Sequence, residues 1–209
     1  MRGGQPPLFF GIIMASKVDI CNSALNMIGA SNITSFTEDS KAARLCNQRY
    51  DFIRDRVFRS HNWNCLLTRV QLTPDATAPA FEFANQFTLP TDPFCLRPVN
   101  LDSTTIVFNL EGRKILTDES ALNLVYIARE LDVNKYDAGL IETISVALAA
   151  DFAYPLTNSV SLGQAMQAKY DQTVSEARFM DAVEGASPNS TTATDRMTLE
   201  ANEFINARI

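Results

Sequence analysis

Apolar residues recur at helical spacing early in the chain. Val18, Cys21, Leu25 and Ile28 fall three or four apart and so share one helix face. Ser16 and Asp19 precede them at the spacing of a capping box, in which hydroxyl and carboxylate satisfy free amides at a helix start. Gly29 is placed to end this helix. A second helix is predicted from about Thr37, with Ser35 and Glu38 at the same capping spacing and Ala43, Cys46, Tyr50, Ile53 and Val57 on one stripe. It ends near Ser60-His61-Asn62, with Trp63 packed against its end. Its other faces carry Lys41, Arg44, Arg49, Arg54, Arg56 and Arg59, interleaved with Asp39, Asp51 and Asp55.

The pattern then changes period. Prolines at 74, 79, 90, 93 and 98 exclude long helices between Leu66 and Tyr136. Phe81-Glu82-Phe83 and Phe87-Thr88-Leu89 alternate, and Cys95 to Leu101, Thr105 to Leu110, Lys114 to Thr117 and Leu122 to Ala128 read as further short strands. Glu111-Gly112-Arg113 is a hairpin turn and Leu89-Pro90-Thr91-Asp92-Pro93 a rigid one. Helical spacing returns with Leu140, Ile144, Ala147, Leu148 and Phe152, in a helix that Pro155 should stop. A last long helix, capped by Asn158 or Ser159, carries Leu162, Met166, Tyr170, Val174, Ala177 and Met180 on one side and runs to about Glu184, with Gly185 as its stop.

These elements predict an α+β fold, mainly α. Residues 16–65 and 137–185 form a helical bundle, and residues 66–136 form an inserted antiparallel β-module of four or five strands. Ala186 to Asp195 is rich in Ser, Thr, Pro and Asn and reads as a flexible linker within a 186–209 tail. Beyond it Leu199, Phe204, Ile205 and Ile209 are candidate docking anchors for a partner. Residues 1–15 form an N-terminal arm with two readings. Either they are a plain extended arm or an over-called start, with Met14 a natural alternative start, or the arm docks Leu8, Phe9, Phe10, Ile12 and Ile13 on a neighbouring subunit.

Charge and chemistry narrow the function. A chain of 209 residues can bury a core without disulfides or metals. Its net charge of −6 argues against a broad basic face for phosphate neutralisation. Cys21, Cys46, Cys65 and Cys95 show no CxxC spacing, and His61, the single histidine, cannot complete a usual zinc set, so the cysteines are read as buried thiols. His61-Asn62-Trp63-Asn64 invites a nuclease reading, which needs a second histidine near a metal; the simpler reading is a polar helix end. No GxxxxGK[ST] or GxGxxG occurs. Asp118-Glu119 and Glu38-Asp39 stand at turns and helix starts, where acids cap. The arginines of the second helix alternate with aspartates, which favours ion-paired faces or subunit contacts over phosphate binding; Arg54 and Arg59 are the candidate subunit-interface residues. No catalytic, cofactor or metal residue emerges. The apolar run Leu8 to Met14 falls well short of the roughly 20 residues of a bilayer span.

Taken in order, several segments form a pattern. They are Leu25-Asn26-x-Ile28-Gly29, the helix with Cys46, Tyr50, Arg54 and Asp55, then His61-x-Trp63, Phe87-Thr88-Leu89-Pro90-x-Asp92, and Glu111-Gly112-x-x-Ile115-Leu116-Thr117. The chain resembles the tail tubular protein A family of short-tailed phages and prophages, from about Ser16 to Glu184. That resemblance implies a helical bundle with a β-rich insertion and a structural role without catalysis or cofactor. Members form a ring, usually of twelve copies, between the capsid portal and the tail nozzle (a tail tubular protein B-like partner). The resemblance thus places the protein at the head-tail junction of a virion assembled in the bacterial cytoplasm, with portal, nozzle and further copies of itself as partners and genomic DNA passing through the lumen. Other tail-completion or scaffolding proteins, and a phage nuclease, are the alternatives. An acidic balance suits a channel that DNA traverses without sticking.

Overall fold

The computed structural model describes residues 16–185, apart from 102 and 104. Among the described residues helix outweighs strand, 49% against 20%, and the fold is α+β, mainly α. Helices α1 (Lys17–Met27) and α2 (Lys41–Arg59) come first. Strands β1 (Leu67–Leu72), β2 (Asn85–Thr88), β3 (Cys95–Leu101), β4 (Phe108–Glu111), β5 (Lys114–Thr117) and β6 (Leu122–Ala128) follow, and helices α3 (Ala138–Thr157) and α4 (Val160–Gly185) close the described chain.

α1 starts and stops as its sequence predicts. Ser16 Oγ accepts from the Asp19 amide at 3.1 Å, and the Asp19 carboxylate accepts from the Ser16 amide at 2.9 Å. Gly29 sits at φ +70°, where a side chain would be strained, and Ala30 N donates back to Leu25 O at 2.9 Å, closing a Schellman motif. α2 starts later than Ser35 and Glu38 suggest. Ser40 is its N-cap, accepting from Ala43 N, while Glu38 instead takes the Thr34 amide and hydroxyl in the loop before it. α3 runs through Pro155 to Thr157 and ends on Asn158 at φ +54°. Proline this close to the end forfeits only its own amide bond toward Asp151. Lys41 Nζ takes the Pro155 carbonyl, tying the start of α2 to the end of α3.

Two antiparallel sheets occupy the middle, in the orders β1-β6-β3 and β2-β5-β4. β1 escapes the sequence reading, and Phe81-Glu82-Phe83 is no strand: Glu82 has φ +74° and Phe81 is 80% exposed. Gly112, at φ +59°, opens the two-residue loop between Glu111 and Lys114, as a type II′ hairpin requires.

Period-two alternation makes the first sheet a shared wall. Leu122, Leu124, Tyr126 and Ala128 of β6 face the core between the two sheets, with Phe87 and Ile115 from the second sheet. Ile127 and, from β3, Leu96 join the helical core instead. Val133 and Tyr136, within the stretch predicted as β-module, also pack into the helical core.

α3 is long and apolar enough to cross a bilayer. Its apolarity has another use here: Leu140, Ile144, Ala147, Leu148 and Phe152 are buried against α1, α2 and α4, as expected of a helix apolar all round. On α4, Val174, Ala177 and Asp181 are buried, and Leu162, Met166 and Tyr170 pack partly buried against the same core; Met180, predicted on that side, is 55% exposed.

Candidate functional site

The two candidate interface arginines differ in their surroundings. The Arg54 side chain is only 2% exposed. Its Nη1 donates to Asp51 Oδ1 at 2.6 Å, and its Nε and Nη2 donate to Asp55 Oδ1 at 3.0 and 2.8 Å. Tyr50 and Phe58 flank it, each ring centroid 5.8 Å from the guanidinium carbon. Burial opposes the charge, but the hydrogen bond and charge of Asp55, helped by Asp51, outweigh it and hold Arg54 above its ordinary range. A role for Arg54 in meeting a neighbouring subunit is therefore corrected: its partners are inside its own protomer. Arg59, on the last turn of α2, is exposed and donates to the Leu96 carbonyl of β3.

The other α2 charges are also engaged within the chain. Arg49 forks onto both oxygens of Asp151 on α3, with both bonds at 2.8 Å, and Arg44 meets Asp39. After α2, Trp63 is buried and donates from Nε1 to Val57 O at 3.0 Å. His61 Nε2 lies 3.0 Å from Asp181 Oδ2, while Asp181 Oδ1 accepts from the Asn64 amide at 2.9 Å. The histidine thus fastens the turn to the end of α4 as one of a set of polar contacts. No group of three or more His, Cys, Asp and Glu gathers as a metal site among the described residues. All four cysteines are free thiols; Cys21, Cys46 and Cys95 are buried and Cys65 is half-buried. A hydrogen bond with Cys46, together with burial, pushes the Cys21 thiol up.

One groove stands out, of about 910 Å³. It runs between β3, the outer strand of the first sheet, and β4, the outer strand of the second. Leu96, Val99, Ile106, Phe108 and Leu110 supply apolar lining, and Phe108 and Leu110 are 43% and 49% exposed. Arg59, Arg97, Arg113 and Arg129 also line it, against a single described acid, Asp55. Phe94 is sandwiched between two guanidiniums, Arg113 at 4.0 Å and Arg129 at 4.3 Å from its centroid. Asp55 is shared between Arg129 and Arg54. Among the described residues Arg59, Arg97 and Arg113 donate only to neutral oxygens: Arg59 to Leu96, Arg97 to Asn62, and Arg113 to Leu89, Pro90 and Cys95. Burial, reinforced by the charge of Arg59, lowers the Arg97 pKa.

Large apolar residues are also exposed on the helices: Phe179, Met180 and Val183 near the end of α4, Val160 at its start, and Phe52 of α2. The anchors Leu199, Phe204, Ile205 and Ile209, and the arm 1–15, lie outside the described residues. Sequence reasoning missed Arg97, Arg113 and Arg129. Their one local signal is an arginine beside an aromatic or a turn glycine, in Phe94-x-x-Arg97 and Gly112-Arg113. No protein-family model matches the chain, and no curated protein does.

Proposed function

We propose that this protein is a non-enzymatic virion structural protein, a head-to-tail adaptor that assembles as a ring between portal and tail nozzle. The reading rests on the resemblance from Ser16 to Glu184 and is supported by one observation above all. α4 extends 26 residues, roughly 39 Å at the helical rise, yet only Val174, Ala177 and Asp181 of it are buried. A monomer has little use for Phe179, Met180 and Val183 on its outside. A ring protomer buries such residues against its neighbour, because each copy presents one surface to the next.

The test is electron microscopy of the purified chain with and without the portal ring encoded in the same genome. The expected result is a stacked ring of this protein on the portal. A chain that stays monomeric and unbound beside a competent portal overturns the reading. Mass analysis of mature particles separates an adaptor, which remains, from a scaffolding protein, which leaves.

A further inference from the structure

The groove between β3 and β4 has a charge that the rest of the molecule lacks. The chain is net −6, yet the groove's described lining holds four arginines and one aspartate. Three of those arginines have no carboxylate partner among the described residues. Arg97 and Arg129 each keep a buried Nε–H without an acceptor among the described residues. Buried donors are almost always satisfied, by protein or by water, so an acceptor entering the groove has donors to meet. The floor is apolar and both flanking strands are sheet edges, which accept extended chain. Its volume is within the range of pockets that enclose a ligand, roughly 300–1,000 Å³. The occupant these features call for is an apolar segment carrying carboxylates.

The chain contains one, and its exit point lies beside the groove. A side chain at Gly185 would run into Asn64, so α4 ends against the turn after α2. Asn62 of that turn accepts from Arg97 at the groove at 2.6 Å. Leu199-Glu200-Ala201-Asn202-Glu203-Phe204-Ile205 combines two acids with three large apolar residues and no base. From Gly185 to Leu199 there are 14 residues, which span roughly 45 Å when extended, several times the roughly 10 Å width of a three-stranded sheet. The N-terminal arm is the wrong sign: its apolar run Leu8 to Met14 has no acid, and Arg2 would be repelled.

We infer that the groove between β3 and β4 is the seat of the chain's own C-terminal segment, Leu199 to Ile205, held in cis by Glu200 and Glu203 on the groove arginines. Seating covers Leu199, Phe204 and Ile205, three of the four apolar residues singled out as partner anchors. The free protomer therefore keeps its docking segment masked, and a partner has to displace it. The inference goes beyond the adaptor reading and does not depend on it, because it is read on the isolated full chain.

Hydrogen exchange followed by mass spectrometry tests it. In the wild type, residues 199–205 and the β4 strand are expected to exchange slowly, and hundredfold dilution should leave that protection unchanged. Glu200→Lys with Glu203→Lys should speed exchange in both regions by about tenfold, the equivalent of about 1.4 kcal/mol. Arg97→Glu should do the same, and raised salt should act in the same direction. A melting temperature unchanged from the wild type in the tail variants separates loss of seating from a folding failure. Tail exchange at free-peptide rates in the wild type overturns the inference. So does protection that ignores both charge reversals, protection that fades on dilution (a second copy in the groove), or protection of residues 8–13 instead.

Discussion

Removing the Arg54 side chain, which packs against Tyr50 and Phe58, leaves the half-buried Asp55 with Arg129 as its remaining cation. Breaking a buried pair costs about 3–5 kcal/mol because the other charge stays desolvated. Asp51 is 66% exposed and Asp55 keeps Arg129, so Arg54→Leu is expected at the lower end, about 3 kcal/mol in urea denaturation. Arg59→Glu, at an exposed position, should stay within about 1 kcal/mol of the wild type. The two substitutions therefore report different things, core stability in one case and surface contacts in the other. Tyrosines give a second residue-level prediction. Burial raises the phenols of Tyr50, Tyr126 and Tyr136 above the ordinary value of about 10. A phenol harder to ionise when folded stabilises the fold fully below its unfolded pKa, and that stabilisation is lost as pH rises toward the folded value. Phenolate absorbance should show these three ionising later than free tyrosine, with stability falling as pH climbs past about 10.

Among the elements, the start of α2 separates two caps. Ser40→Ala should cost about 1 kcal/mol in thermal or chemical denaturation, the usual loss of an N-cap. Ser35→Ala should cost much less, since Ser35 Oγ serves only an exposed loop turn at Thr37. Helices were largely legible because their signals are local. The Ser16–Asp19 box, the Gly29 stop and the Ala43–Val57 stripe need no information from elsewhere in the chain. Strands were less legible because pairing partners decide them. Leu67 to Leu72 alternates weakly, and it is a strand because Leu122 to Ile127 lies alongside it from across the module. Phe81-Glu82-Phe83 alternates better but has no neighbour in either sheet. Legibility was poorest at the groove. Arg59, Arg97, Arg113 and Arg129 belong to four separate segments, and only the meeting of two sheet edges brings them together. Arg54 shows the same limit in reverse: its charged neighbours suggested a polar face, while its side chain is buried, with Tyr50 and Phe58 against the guanidinium.

For the molecule as a whole, the outward face of α4 carries the prediction. Phe179→Ser combined with Met180→Ser and Val183→Ser should leave melting almost unchanged, because these side chains leave little apolar surface buried in the protomer. Assembly on a portal, followed by sedimentation, should be lost. Interface core residues cost more than about 1 kcal/mol each when truncated, and a closed ring repeats the loss at every contact. Normal assembly in the triple variant would place the interface elsewhere. The order of elements has its own consequence during synthesis. α1 and α2 pack mainly on α3 and only slightly on each other. Between Arg59 and Ala138 the ribosome must add 79 residues, roughly 4–16 s at ordinary bacterial rates. Throughout that interval Ile20, Leu25, Ile53, Val57 and Phe58 lack the α3 surface against which their helices mainly pack. The nascent chain is thus a client for holding chaperones just when its first two helices emerge, and it stops being one when α3 arrives.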